Sequence, residues 1–357
     1  MGAADPAHAL AEARRVGIVL LSGIGDVVHG LALANDLKRA RPDLRVLWVA
    51  EPAPARVLEC HPAVDEIVVF RKDRGFAGVR EMAATLRGRP CDVTLNAQRY
   101  FKGVVATVAT GAPVRVGLPR SKTRDGTSLF NTHHLPDGPW VHTQDLLLGY
   151  RAALGLPADA PVEWGITFSD EERAEQHAYF ATLADGPVAG LVLATANPKK
   201  DWPTERWAPL ADGLADLGYR VLLVGGPSQS ERAAADAVLA SARVPPVNGL
   251  SDSVRRMMWM VDGVDLLVSA DTGPLHLAHA VGTPVIGLFG HSNPARVGPW
   301  RRYRDLVIDR WTEPGADPDP SGYEPKLGRM EQVEVADVLM HVERARAVYG
   351  VRKPAAR

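Results

Sequence analysis

Ser269–His276, S-A-D-T-G-P-L-H, sets a carboxylate, a hydroxyl, a glycine and an imidazole just beyond the apolar run Val264-Asp265-Leu266-Leu267-Val268. The pattern predicts a buried strand, a polar turn and a helix starting at Pro274 or Leu275. In an open α/β sheet the carboxyl end of a strand is where ligands bind. A helix N-terminus there offers N–H groups and a positive dipole end to an anion such as a diphosphate. Asp271 is placed to accept hydrogen bonds from hydroxyls, and His276 follows one turn into the helix. A second strand-turn-helix, Val16–Gly30, reads V-G-I-V-L-L-S-G-I-G-D-V-V-H-G. Gly23 and Gly25 allow a tight turn and close ligand approach. Asp26 has two readings. It caps a helix beginning at Val27, a role worth about 1 kcal/mol, or it is a general base that takes a proton from an acceptor hydroxyl. His29, one turn on, supports such a base or is structural.

Further groups surround these two. T-A-N-P-K-K-D-W-P-T-E-R-W begins at Thr195 and follows the apolar run Val188–Ala194. Lys199 and Lys200 then stand at the end of a strand, where an ammonium suits a diphosphate and the charge growing on a leaving group. Lys199 also fits a solvated surface position. Leu222–Pro227 is another strand-to-glycine turn, in which Gly225 permits a nucleotide to approach. Glu231 beyond it reaches a ribose or is merely a solvated helix residue. Arg115, Arg120, Lys122 and Arg124 lie close together, and Arg99 and Lys102 extend them. They form either a solvated loop or a fork-like patch for an anionic acceptor, which would also suit an anionic membrane surface. No metal site is expected: His276 and His279 lack a carboxylate or cysteine partner, and Cys60 and Cys91 fit no metal or redox spacing.

Apolar β-branched runs alternate with helix-period segments along the 357 residues, which is the signature of parallel α/β folds. Strands are predicted at 16–21, 45–49, 66–69, 93–96 and 114–117, then at 188–194, 219–224, 266–269 and 285–289. Helices are predicted at 27–41, 54–60, 78–86, 140–156, 205–217, 229–241, 253–261 and 333–348. The Pro/Ala-rich stretch Pro157–Pro161 is the candidate linker, dividing the chain into domains 1–160 and 161–357. Asp309–Gly328 is rich in Pro, Gly and Asp and reads as a loop. A formal net charge of −1 excludes a general nucleic-acid binder. The N-terminal stretch lacks the apolar core of a signal peptide, no run is long enough to span a membrane, and two unpaired cysteines fit a reducing cytoplasm.

G-D-V-V-H after the first strand, K-D-W-P-x-x-x-W after the mid-chain strand, and D-T-G-P-L-H with the later G-L-F-G-H-S-N-P occur in that order. With these motifs the chain resembles glycosyltransferase family 9, the bacterial heptosyltransferases of the lipopolysaccharide inner core, over roughly Arg15 to Val348. The resemblance implies a GT-B fold: two facing Rossmann-like, doubly wound domains with a central cleft. The N-terminal domain would bind the acceptor and the C-terminal domain the nucleotide sugar. Asp26 matches the family's base, and Lys200 and Thr195 match contacts to the donor phosphates. Asp271 falls at the donor sugar, and Thr272, Gly273 and His276 meet the diphosphate. The chain departs from the family pattern at Pro274-Leu275, where many members carry Leu and Ser, and at Ala196, often Thr or Ser. The implied enzyme is inverting and metal-independent, uses no cofactor, and transfers heptose from ADP-heptose to an anionic, lipid-linked lipopolysaccharide precursor. It would be cytoplasmic, with peripheral contact at the inner membrane face. Rival readings are the same fold with another sugar nucleotide or a protein acceptor, and a non-catalytic sugar-nucleotide sensor. A nicotinamide oxidoreductase is a weaker one: Glu51 lies where a ribose-binding acid would sit, but the Gly-rich turn lacks its third glycine.

Overall fold

The computed structural model describes residues 4–183 and 186–350. The first three residues of the N-terminal stretch lie outside these, and Pro6–Glu12 forms a short helix with Asp5 as its cap. The chain makes two compact units. One comprises Met1–Pro139 with Thr143–Thr167, the other Trp140–His142 with Phe168–Arg357. The Pro157–Pro161 stretch belongs to the first unit. It is held there by the buried Arg151, whose guanidinium donates to the carbonyls of Ala158 and Ala160 at 3.1 and 2.9 Å. The same guanidinium is paired with buried Asp36 at 2.6 and 2.9 Å. The guanidinium thus joins the stretch to buried Asp36.

The first unit is built on β1 (Arg15–Val19), β2 (Arg45–Ala50), β3 (Glu66–Val69), β4 (Val93–Asn96), β5 (Val114–Gly117) and β6 (His133–His134). All are parallel, in the order β3-β2-β1-β4-β5-β6. Parallel strands are covered on both faces, which is why β1 and β2 read as nearly unbroken apolar runs. Val19, Leu47, Val49 and Val68 pack with Met82 and Leu86 of the helix Gly75–Arg87. Each such side chain contributes roughly 1.5–3 kcal/mol by leaving water.

The second unit repeats the plan with β7 (Val188–Val192), β8 (Arg220–Leu223), β9 (Val247–Asn248), β10 (Leu266–Ala270), β11 (Val285–Phe289) and β12 (Val307–Asp309). Their order is β12-β11-β10-β7-β8-β9. In each sheet the first strand of the unit is central, and the chain winds outward from it in both directions. The reversal falls between β1 and β4 in one unit and between β7 and β10 in the other. Open sheets bind ligands outside the carboxyl ends at that reversal. The segments emerging there are Leu20–Asp26, Ala97–Lys102, Leu193–Lys200 and Asp271–His276.

Several elements differ from expectation. The helix expected at 140–156 is broken into Thr143–Leu148 and Tyr150–Ala153, and Trp140–His142 lies in the other unit. Helices Lys102–Ala109 and Asp170–Ala181 and the short strands β6, β9 and β12 were not read from the sequence. Asp309–Gly328 is a loop once β12 ends, and it is fastened. Trp311 Nε1 donates to Glu324 O at 3.1 Å, and Lys326 Nζ to Trp311 O at 2.6 Å.

Candidate active site

At the reversal point of the second unit the chemistry gathers on one carboxylate. Asp271 follows β10 and is buried. Lys200 Nζ donates to its Oδ2 at 2.6 Å, and Ser292 Oγ donates to the same oxygen at 2.6 Å. His276 Nε2 lies 3.4 Å from Oδ1. Burial alone would raise the Asp271 carboxyl. The His276 hydrogen bond and the Lys200 ammonium outweigh it and hold the group well below the usual carboxylate range. Thus Asp271 is an anionic anchor for donors and does not take up protons near neutral pH.

The helix beside it runs Gly273–Val281, with Thr272 as N-cap in extended geometry and no side-chain cap bond. It begins at Gly273, one residue before the expected start, because Pro274 is tolerated in the first turn, where its missing N–H costs nothing. His279 does not join His276: its Nε2 is bonded to Trp300 O at 2.7 Å. The two imidazoles face different partners.

The Thr195–Asp201 loop shapes the approach of Lys200. Thr195 N–H donates to Asp201 Oδ1 at 2.7 Å, and its hydroxyl donates to Asn197 O at 2.8 Å. The Thr195 hydroxyl is thus engaged within its own loop. Lys200 ends the single helical turn Pro198–Lys200, while Lys199 is exposed. At the end of β8, Glu231 completes a capping box with Ser228 and accepts from Gly226 N at 2.7 Å. Its carboxylate therefore lies over the glycine turn: a Cβ on Gly225 would come within 2.6 Å of Glu231 Oε1. Glu231 is neither merely solvated nor remote from that turn.

In the first unit the helix after β1 runs Ile24–Ala40, three residues earlier than expected, with Gly23 as N-cap. Asp26 is therefore not the cap. It is the third helical residue and exposed, and its Oδ2 lies 2.7 Å from where a Gly23 Cβ would be. Gly23 has φ +84, a backbone region that L side chains rarely adopt, and that is what calls for glycine there. A carboxylate in the first turn suits the helix dipole as well as any chemistry. His29 has a structural partner. It is buried, with Nδ1 3.0 Å from Gln144 Oε1, and Gln144 in turn donates to the His29 carbonyl.

Of the basic cluster, Lys102 reaches the reversal point: Nζ donates to Ser22 Oγ at 2.5 Å and to Glu51 Oε1 at 3.1 Å. Lys72 pairs with the other Glu51 oxygen at 2.8 Å. Both Glu51 oxygens face ammonium groups, which occupies the carboxylate that a ribose would need. Lys122 corrects an expectation. It is buried and its Nζ donates to Pro139 O at 2.6 Å, so it braces the loop from inside. Arg99 Nε donates to Lys122 O at 2.9 Å, and Arg115 to Phe130 O and Ala112 O. Arg120 and Arg124 are exposed.

Sequence reasoning missed Ser292, Ser22 and Lys72. Ser292 lies inside the G-L-F-G-H-S-N-P motif, so its position was visible though its partner was not. The pairing of Lys72 and Lys102 with Glu51 spans three strands and leaves no local signal.

The glycosyltransferase family 9 (heptosyltransferase) model matches residues 79–317, more than half of the chain and including both donor-side motifs. The chain belongs to this family. A lipopolysaccharide heptosyltransferase 3 from Escherichia coli is 31% identical over 302 residues, covering 80% of this chain and 86% of its own length. A family 9 glycosyltransferase from Veillonella parvula superposes with a TM-score of 0.80 at 22% identity, covering 93% of this chain and 96% of its own. The Escherichia coli heptosyltransferase WaaC, solved with ADP, superposes at 0.70 and 23%, covering 92% and 99%. The fold is GT-B, with both sheets parallel. This family 9 member is a glycosyltransferase, and the Asp271 cluster lies within the matched region.

Proposed function

We propose that the enzyme transfers heptose from ADP-heptose to a lipid-linked lipopolysaccharide core precursor, with inversion and without a metal. The observation that carries this reading is the convergence of Lys200, His276 and Ser292 on Asp271 at the carboxyl end of β10. In it Asp271 orients the sugar. Lys200 and the N-terminus of the Gly273–Val281 helix, with Thr272 and His276, take up the charge of the departing diphosphate. Glu231 and Gly225 lie toward the nucleoside, and Thr195 shapes the phosphate loop. Asp26 takes the proton of the attacking hydroxyl. Arg99, Lys102, Arg120 and Arg124 meet the anionic groups of the acceptor, and Lys122 braces them. Domains 1–160 and 161–357 would divide acceptor from donor binding. The names of the relatives support the acceptor class, and the ADP held by one relative supports the nucleotide.

Calorimetric titration with ADP, against UDP, GDP and NAD, tests the donor side on wild type and Lys200→Ala. Selective ADP binding weakened by Lys200→Ala is expected. A preference for UDP or GDP would leave the fold and overturn the heptose donor.

A further inference from the structure

The first unit carries an apolar surface outside the residues assigned to chemistry. Phe101 stands at the N-cap of the helix Lys102–Ala109. Val108 follows two turns on, at the helical spacing that puts it on the same side, while Val105 between them packs against the core. Leu129 and Phe130 come from the tight turn Thr127–Phe130. Phe101 and Phe130 meet edge to face with ring centroids 5.9 Å apart, which joins the two segments into one patch. Leu129 is 78% exposed, Val108 49%, Phe101 46% and Phe130 37%. Single exposed apolar residues need no explanation, but four on two segments joined by a ring contact mark a candidate interaction surface.

Charge identifies the occupant. From Ala97 to His134 the chain has six basic residues, Arg99, Lys102, Arg115, Arg120, Lys122 and Arg124, and a single acidic one, Asp125, in a protein of net charge −1. Arg120 and Arg124 are exposed, on the segment that leads into Leu129. Arg115 donates to the Phe130 carbonyl at 2.7 Å, so a guanidinium sits at the base of the patch. Exposed apolar side chains on a segment rich in basic residues match an interface whose outer layer is anionic and whose next layer is hydrocarbon. No helix of the described residues is long and apolar enough to cross a membrane, so the contact is a surface one.

We infer that Phe101, Val108, Leu129 and Phe130 form a membrane-docking patch that inserts among the headgroups of an anionic phospholipid surface. The inference rests on the lipid-linked acceptor proposed above and supplies the surface that would bring the first unit to it.

Sedimentation with phosphatidylcholine vesicles, with and without phosphatidylglycerol, tests this on the full chain. Wild type is expected to bind the anionic vesicles at low salt, and to bind them about tenfold or more weakly once added salt screens the arginines. Leu129→Asp, and separately Phe101→Ser with Val108→Ser, should reduce the anionic-vesicle partition about tenfold, with unchanged circular dichroism and melting. Equal binding by these variants, or no retention of wild type on anionic vesicles, overturns the inference. Concentration-dependent dimerisation lost in the same variants, without vesicle binding, would make the patch a self-association surface and equally overturn it. Turnover of a soluble acceptor fragment by Leu129→Asp should match wild type. Absence of transfer in wild type itself would instead count against the proposed reaction.

Discussion

Asp271 and Asp26 are both carboxylates just beyond the carboxyl end of a reversal-point strand, yet their surroundings give them different work. Asp271 is buried against an ammonium, a hydroxyl and an imidazole. Its depressed pKa means that the fold gains from its ionised form above the ordinary carboxylate range, about pH 4, and loses that gain only as the pH falls below it. Asp271→Asn should therefore flatten the acid side of the stability profile as well as abolish activity, read by melting temperature from pH 6 downward. Asp26 is exposed, and the proposed reaction asks it to meet the attacking hydroxyl. Asp26→Asn is expected to lower kcat by about 10²–10⁴ while leaving ADP affinity near wild type. Unchanged kcat in the folded variant would remove the base assignment. Lys200→Ala should weaken ADP binding about tenfold or more, since a hydrogen bond to a charged group is worth about 1.5–3 kcal/mol. Ser292→Ala should weaken it less, because Lys200 still holds Asp271.

Elements place these residues, and their packing explains what could be read in advance. The Ile24–Ala40 helix lies so close to the sheet that a Cβ at Gly30 would meet Trp48 Cη2 at 2.8 Å and Leu20 Cδ2 at 2.9 Å. Gly30 thus performs the helix–strand packing of the third fingerprint glycine that the Gly-rich turn itself lacks, displaced along the helix. Gly30→Val should cost about 1–3 kcal/mol by overpacking, measured by denaturant midpoint. His279 gives a pH handle on the Gly273–Val281 helix. Burial pushes it down to about 4, against the opposing bond to the Trp300 carbonyl. Its contribution is full above the unfolded value of about 6.5 and is lost as the pH falls toward about 4. His279→Gln should flatten that window by an amount on the order of 3 kcal/mol. The buried strands were legible because both faces of a parallel sheet are covered, and the turns after β1, β7 and β10 because glycine, proline and charge interrupt apolar runs. Helix Lys102–Ala109 was not: K-G-V-V-A-T-V-A is β-branched and carries a glycine, and its packing on the sheet and on the Gly75–Arg87 helix supplies what the local sequence lacks. Lys122 looked like its exposed neighbours because only the fold brings the Pro139 carbonyl to it.

At the scale of the molecule, two units with separate sheets need not melt together. Six of the eight tryptophans, Trp140, Trp202, Trp207, Trp259, Trp300 and Trp311, belong to the second unit. Intrinsic fluorescence should report mainly that unit. ADP at saturating concentration is expected to raise its midpoint by mass action, while a probe on the first unit shifts less. Equal shifts by both probes would mean that the chain unfolds as one cooperative body.

The division of the chain also carries a consequence for its birth. Every residue of the first unit has been made once synthesis passes Thr167, so that unit can close while the second is still being added. Trp140–His142 cannot complete its contacts then. Two of their contacts come much later in the chain: Arg296, whose guanidinium lies 4.1 Å from the Trp140 ring centre, and Gly298, whose carbonyl is 2.8 Å from His142 Nε2. These two contacts of Trp140 and His142 therefore form only after every residue of the first unit has been made, while the closing helix Val335–Tyr349 is still to come.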